Sequence, residues 1–466
     1  MTVTLTDLEA MARASLPAQP EVYTGAPEAF PAVVIFVLVM GITFPFLGRI
    51  RGPARGFLMK VFVVAFLLRV ALAVAIQLAG IQFVVASDAT FYDWIGQAVA
   101  RSWRFDAPET FTRFLSPDWS GWGMSYFVGA LYYVFGESLL MVQVLASWAG
   151  ALVAVLIYFI AREVFADEAT SRVASALVAV LPALVLWSSQ GVKDPFITLG
   201  LALALWAVIQ SQKQLRAKYV ALLAGSLLVI FALRSYVAYI LLGAIGVSVF
   251  LNLVVRPERA GRAFFGVLLG AAVLLVVLGS RVVEQAEIFT DLSDIAARRQ
   301  WAAGASASGF ARGVDVSTPL GALAFLPVGL VHILFAPFPW QMRNLQQIAT
   351  LPDMLIWWAL VPFLFYGLFR AVKDRFAESS VLIIFSFLLA SAYAISVGAL
   401  GTVYRQRTQF VVFLVVFGAF GVVQWFRRRR DRARMLQERR EMARESQRKA
   451  AAARRERRRA GRPATS

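Results

Sequence analysis

The sequence predicts an all-α protein, a polytopic transmembrane helical bundle of about 11 to 12 spans with juxtamembrane helices in its first outer loop. Three observations predict it. Of 466 residues, 59% are apolar and only 16% are charged. At least ten apolar runs of roughly 17 to 25 residues are each long enough to cross a bilayer. The net charge of +18 is not spread evenly: from Arg427 onward 16 Arg and one Lys stand against five acids, a net +12, so most of the excess belongs to a tail. The body is only mildly basic, and no nucleic-acid partner is expected of it. With no Cys, the chain has no disulfide, thiolate nucleophile or thiolate metal site, and the single histidine, His332, excludes a multi-histidine metal cage.

Residues 1–30 form a polar, flexible N-terminal leader, with Asp7, Glu9, Glu21 and Glu28 against Arg13, and they lack the charged start and apolar core of a cleavable signal peptide. The transmembrane domain occupies 31–426. Its first span runs from about Phe30 to Leu47, and the loop after it carries Arg49, Arg51, Arg55 and Lys60, which the positive-inside rule makes cytoplasmic. The second span, about Val61 to Val85, then delivers Asp88 to the outer surface. Residues 87–137 are a long outer loop rich in Trp, Tyr, Phe and Gly, the composition of helices lying along the interface. The next span, about Leu139 to Ile160, carries Ala146, Gly150 and Ala154 at spacing four, a face that allows close helix approach.

Spans follow at about 172–188, 194–210, 219–233, 237–255 and 262–279, and their connections alternate in charge as the rule demands. The second long outer loop, 280–318, ends in an Ala/Gly/Ser-rich stretch that reads as a mobile flap. Leu320 to Phe338 is predicted to re-enter or tilt, broken by its prolines, because a full crossing would export the Arg-rich tail. Spans at about 353–369, 380–398 and 408–426 complete the set, and the basic tail, 427–466, is predicted to be a frayed cytoplasmic helix lying on the anionic leaflet.

Asp88 emerges from a membrane helix at head-group depth, where it can meet the reactive end of a lipid-anchored substrate. Transfer from a lipid phosphate needs a base for the acceptor proton and cations for the charge left on the phosphate. Asp88 supplies the base; as an alternative it caps the helix beginning near Ala89. Lys193, Arg234, Arg405 and Arg407 all fall at outer ends of helices, against the positive-inside bias, and arginine holds phosphate oxygens bidentately. Lys193 and Asp194 could equally form a self-contained surface pair. Asp93 and Asp88 could share a divalent ion, Mg or Mn, but two carboxylates without further ligands do not define a metal site. Asp118, Trp119 and Trp122 could contact an acceptor or stack on a sugar, or simply anchor the loop at the interface. His332 lies in an apolar run and reads as a hydrogen-bonder between helices.

Asp88-Ala89-Thr90-Phe91-Tyr92, followed by Ile95-Gly96-Gln97-Ala98-Val99-Ala100, resembles the opening of the first outer loop in the multi-spanning glycosyltransferases of the GT-C class. The likeness is to the bacterial relatives of protein O-mannosyltransferase and of the lipid A aminoarabinose transferase, family 39-like. Tyr132-Tyr133-Val134-Phe135-Gly136, Tyr158-Phe159-Ile160-Ala161-Arg162, Pro182, Trp187-Ser188-Ser189 and Lys193-Asp194-Pro195 are similar to the segments that follow, so the resemblance covers about residues 60–210. It implies an undecaprenyl-type phosphate sugar as donor, Asp88 as general base, Tyr92 among the donor contacts, and inverting transfer on the outer face of a bacterial cytoplasmic membrane. The acceptor would be a glycan, lipid or protein. The chain departs from the family in an additional N-terminal span and in lacking an evident large outer domain. Two alternatives are a polysaccharide polymerase or ligase, and a transporter or lipid flippase; the latter calls for ionisable groups near mid-membrane and paired broken helices.

Overall fold

The computed structural model describes residues 26–105, 121–279 apart from 256, residue 282, 291–342 apart from 307, residue 348 and 350–460. The leader up to residue 25, Asp118 and Trp119 lie outside them. The order is α1 (Ala26–Gly48), α2 (Ala54–Leu78), the short α3 (Gln82–Val85), α4 (Ser87–Phe105), α5 (Trp122–Phe135), α6 (Leu139–Phe165), α7 (Glu168–Val180), α8 (Pro182–Ser188) and α9 (Asp194–Lys213). There follow α10 (Ala217–Val255), α11 (Pro257–Leu278), α12 (Leu292–Ala305), α13 (Pro319–Phe335), α14 (Leu351–Asp374), α15 (Phe376–Ser396), α16 (Leu400–Gln406) and α17 (Thr408–Ala460).

Nine of the described helices are long and apolar enough to cross a membrane, and the bent pair α7 and α8, counted as one span, brings the number to ten. Helix α10 holds 39 residues, about 58 Å at 1.5 Å per residue and so about twice a hydrocarbon core. Its backbone leaves the helical region at one residue, Arg234 (φ −162°, ψ 86°). The two arms run in opposite directions: the first is antiparallel to α9, with Tyr219 against Trp206 and Arg234 at Asp194, and the second is antiparallel to α15, leading from Tyr393 near its end to Ser380 near its start. Counted as two arms, α10 brings the crossing segments to eleven, matching the spans expected on either side of Arg234.

The ends of the bundle separate by function of charge. At one end Arg427 pairs with Asp167, and Lys213 with Glu163. At the other, Asp88, Asp194, Arg234 and Arg405 meet. The 87–105 and 122–135 segments are the expected juxtamembrane helices, and they cross where Gly96 faces Val128 and Gly129 faces Val99, with no room for a side chain at either glycine.

Four expectations change. The span at about 172–188 is not continuous: it breaks before Pro182, which has no N–H to give the helix, and its halves bend by 55°. The stretch expected as a flap contains α12, and residues 308–310 are pinned to the chain before Arg405 by Phe310 N to Gly398 O (3.0 Å) and Leu400 N to Ser308 O (3.0 Å). Helix α13 continues through Pro327, but it is a short apolar helix whose final carbonyls receive Trp357 Nε1 (2.8 Å), Trp358 Nε1 (3.2 Å) and Arg407. Its last turn lies at the site end of the bundle, where Phe310 stacks on His332 and Arg407 meets Ala336 O. The tail neither frays nor turns at Arg427 but continues the last span as one helix to Ala460.

Candidate functional site

Helix α9 opens with Asp194-Pro195, an acid and a proline in the first turn, where both suit a helix N-terminus. That places Asp194 inside the bundle, not on its surface. The carboxylate is 2% exposed and accepts from Gln409 Nε2 at 2.7 Å, with Arg234 NH1 at 3.3 Å and Arg405 Nε at 3.6 Å. Arg234 NH1 also donates to Tyr393 Oη (3.2 Å), and that hydroxyl donates to Gln409 Oε1 (2.7 Å). Arg234, Tyr393, Gln409 and Asp194 therefore close a ring of polar contacts drawn from α10, α15, α17 and α9.

Arg405 leaves α16 and bridges this ring to the interface. Its NH1 lies 2.7 Å from Asp88 Oδ2, and its guanidinium stacks 5.7 Å from the Trp187 ring. Asp88, in the first turn of α4, is 42% exposed, so it is the carboxylate of the cluster that an outside molecule can reach. Buried Lys193 completes the group. Burial, with Arg234 adding, pulls its ammonium down to about 7 against the opposing pull of Asp194 and Asp88. Burial also opposes the charge of Arg405, but Asp194 and Asp88 outweigh it and hold the guanidinium above its ordinary value. Tyr92 is buried beside them, its phenol raised by burial and then by Asp88. Gly121 forms the lip: at φ +103° it adopts a backbone that side chains disfavour, and a Cβ there would stand 2.7 Å from Lys193 Nζ and 2.9 Å from Tyr92 Oη.

The structure thus brings Asp88, Lys193, Arg234, Arg405 and Tyr92 together and leaves two other expected residues out. Arg407 turns away into a second, closed cluster, where NH2 meets Asp353 Oδ2 at 3.1 Å and NH1 meets Ala336 O at 3.0 Å. Burial pulls its charge down, and Asp353 and Tyr404 restore only part of it. Asp93 is also turned inward. Tyr132 Oη donates to its Oδ1 and Gln97 Nε2 to its Oδ2, which fastens α4 to α5, while burial raises the carboxyl to about 6 against those hydrogen bonds. Both oxygens of Asp93 are engaged there and Asp88 is paired with Arg405, so the two carboxylates do not converge on one Mg or Mn ion. Among the described residues no group of three or more His, Asp or Glu could hold a metal. Trp122, at the start of α5, packs edge-on against Tyr126. His332 stacks on Phe310 and shares a hydrogen bond with Val328 O, away from any arginine of the site.

Asp194, Tyr393 and Gln409 are additions. Lys-Asp-Pro before an apolar run was the available sign for Asp194; nothing in the sequence marks Tyr393, whose partner is a whole helix away.

No family model and no curated protein matches the chain. Solved structures similar to it include the following three. ArnT from Cupriavidus metallidurans bound to undecaprenyl phosphate matches with a TM-score of 0.44 and 15% identity, over 64% of this chain and 49% of that one. The Archaeoglobus fulgidus oligosaccharyltransferase in the apo form gives 0.48 and 16%, over 80% and 51%. The oligosaccharyltransferase AglB of the same organism, in complex with an inhibitory peptide and a dolichol-phosphate, gives 0.49 and 14%, over 80% and 50%. The chain spans about half the length of each.

Proposed function

We propose that this chain is a membrane glycosyltransferase that moves a sugar from a polyprenyl-phosphate donor to an acceptor hydroxyl at the outer face of a bacterial cytoplasmic membrane. The observation that carries it is a single reachable carboxylate, Asp88, 2.7 Å from a half-buried arginine that, with two buried cations, surrounds one buried acid. Lys193, Arg234 and Arg405 against Asp88 and Asp194 leave one positive charge in excess, the balance that suits an incoming phosphate. The resemblance over residues 60–210 supports the donor class.

In the step proposed, the acceptor oxygen forms a bond to the anomeric carbon while the bond from that carbon to the phosphate oxygen breaks. The electron pair goes to the phosphate, held by Arg234, Arg405 and Lys193, and the acceptor proton goes to Asp88 Oδ. Attack opposite the departing phosphate inverts the anomeric centre. Arg405 gives this an order: when phosphate oxygens take its guanidinium, its hold on Asp88 loosens and the carboxylate is free to meet the acceptor hydroxyl.

The transporter alternative has two observations in its favour, Arg69 within the span α2 and the broken pair α7 and α8. Transfer from radiolabelled polyprenyl-phosphate sugars, in membranes carrying wild-type chain or Asp88→Asn at matched expression, decides. Transfer by wild type that is lost in the variant while donor binding persists is the expected result. Unchanged transfer in Asp88→Asn would sink the base and favour the polymerase or ligase, and no transfer from any donor by wild type would favour the transporter.

A further inference from the structure

Arg69 is an arginine in the middle of an apolar span with no carboxylate partner among the described residues, fully buried at 1% exposure. A charge in that setting is costly unless every donor is used. Its partners explain it. Pro182 deprives Val178 O of the N–H that a continuous helix would supply, and the bend strands the next carbonyl as well. Arg69 NH2 donates to Val178 O (3.2 Å) and NH1 to Ala179 O (2.8 Å), while NH1 also reaches Ala65 O (2.9 Å) on its own helix. Its Nε donates to Ser188 Oγ (2.6 Å), at the far end of α8. One planar guanidinium thus holds the last turn of α7 and the last residue of α8 at a fixed distance. Gly150 of α6 makes room: a Cβ there would stand 2.6 Å from Ser188 Oγ and 2.8 Å from Arg69 Nε.

The opposite side of the break carries the opposite charge. Ala183 N, freed at the start of α8, donates to Asp353 Oδ1 at 3.0 Å. Asp353 in turn holds Arg407, two residues after Arg405. A cation thus sits on the carbonyl end of one half-helix and an acid on the amide end of the other, each where the helix dipole favours it. The two halves lead to the site: α8 ends at Ser188, five residues before Lys193, and the Asp353–Arg407 pair seats the segment that carries Arg405.

We propose that Arg69 and the Asp353–Arg407 pair are positioning residues that clamp the broken span from both sides and so set the distance between Lys193-Asp194 and Arg405. The clamp's consequence for transfer rests on the glycosyltransferase reading; its geometry does not.

The chain has no Cys, so spin labels can be placed at Leu186→Cys on α8 and Phe387→Cys, an exposed position on α15, without background. Thermal unfolding, the label-to-label distance and donor-dependent transfer are then measured for four forms: wild type, Arg69→Met, Pro182→Ala and the double variant. Pro182→Ala restores an N–H for Val178 O, so it is expected to keep or raise the unfolding temperature, yet to shift the distance and cut transfer at saturating donor by about tenfold to 100-fold. Arg69→Met is expected to lose both stability and transfer, and Pro182→Ala is expected to recover its stability but not its transfer. A purely structural Arg69 would give transfer that returns with stability in the double variant, and that outcome overturns the proposal. An unchanged distance in both single variants overturns it as well, whether or not wild type transfers sugar. Wild type without transfer but with shifted distances in the variants would retire the glycosyltransferase reading and leave the clamp standing.

Discussion

Two clusters of opposite charges sit at the same end of the bundle, and two arginines only two residues apart divide between them. Around Arg405 the cations outnumber the acids, one carboxylate is reachable, and Asp194 Oδ2 and Arg405 Nε face each other at 3.6 Å without a hydrogen bond on either. Around Arg407 charge is matched one to one, both partners are 5% exposed or less, and the guanidinium is spent on Asp353 and a helix-end carbonyl. The first has groups left to meet a ligand, as the proposed function requires, and the second has spent its own on holding the chain. Excess charge, unspent donors and access separate a site from a joint better than residue type or sequence position.

The difference can be broken at either cluster. Asp88→Asn removes the proposed base and is expected to lower transfer by about 10²- to 10⁴-fold with little change in unfolding temperature, since the side chain is half open to solvent; a transfer assay and a melt on the same sample check it. Asp353→Ala acts on stability first, with an expected loss of about 3–5 kcal/mol because Arg407 is left buried and unpaired, read by denaturant unfolding in detergent, and with transfer falling beside it as the segment carrying Arg405 loses its seat. Replacing both partners by apolar residues should return much of that loss. A subtler probe is Gly121→Ala, which drives a Cβ toward Lys193 Nζ and Tyr92 Oη; it is expected to raise the KM for donor about tenfold while leaving the Arg407 cluster intact, as steady-state kinetics would show.

The smallest effect is in pH. Lys193, drawn down to about 7 chiefly by burial, carries its charge below that value and loses it above. Donor affinity in the wild type is therefore expected to be highest below pH 7 and to fall as pH rises through about 7 to 8. Lys193→Met should flatten that dependence.

How much of this the sequence discloses differs between the two clusters. The spans and the hairpin at Arg234 are legible because apolar length and charge alternation are local properties of the chain. Asp88, Lys193, Arg234 and Arg405 are legible as ionisable groups at helix ends. Arg407 satisfies the same rule as Arg405, and what separates them is that two residues on a helix point some 200° apart, toward different neighbours. Asp93 is inward because Tyr132 of α5 faces it, a pairing set by how α4 and α5 cross. The break before Pro182 was open to reading, since an apolar run through a proline need not be a continuous helix, and an arginine inside the second span was the companion sign. Their connection to one another depends on the approach of α2 to α7, which lies more than a hundred residues along the chain.

The one-residue turn at Arg234 has a consequence for affinity. A longer connection at this end, such as 189–193 before α9, would cost conformational entropy to order when a ligand is gripped. Arg234 is itself the connection, its backbone fixed by the two packed arms of α10 and its guanidinium already held by Asp194 and Tyr393. Little freedom remains there to be lost on binding. The same economy leaves no slack: a single residue inserted beside Arg234 would rotate one arm by about 100° relative to the other and carry its whole buried face with it.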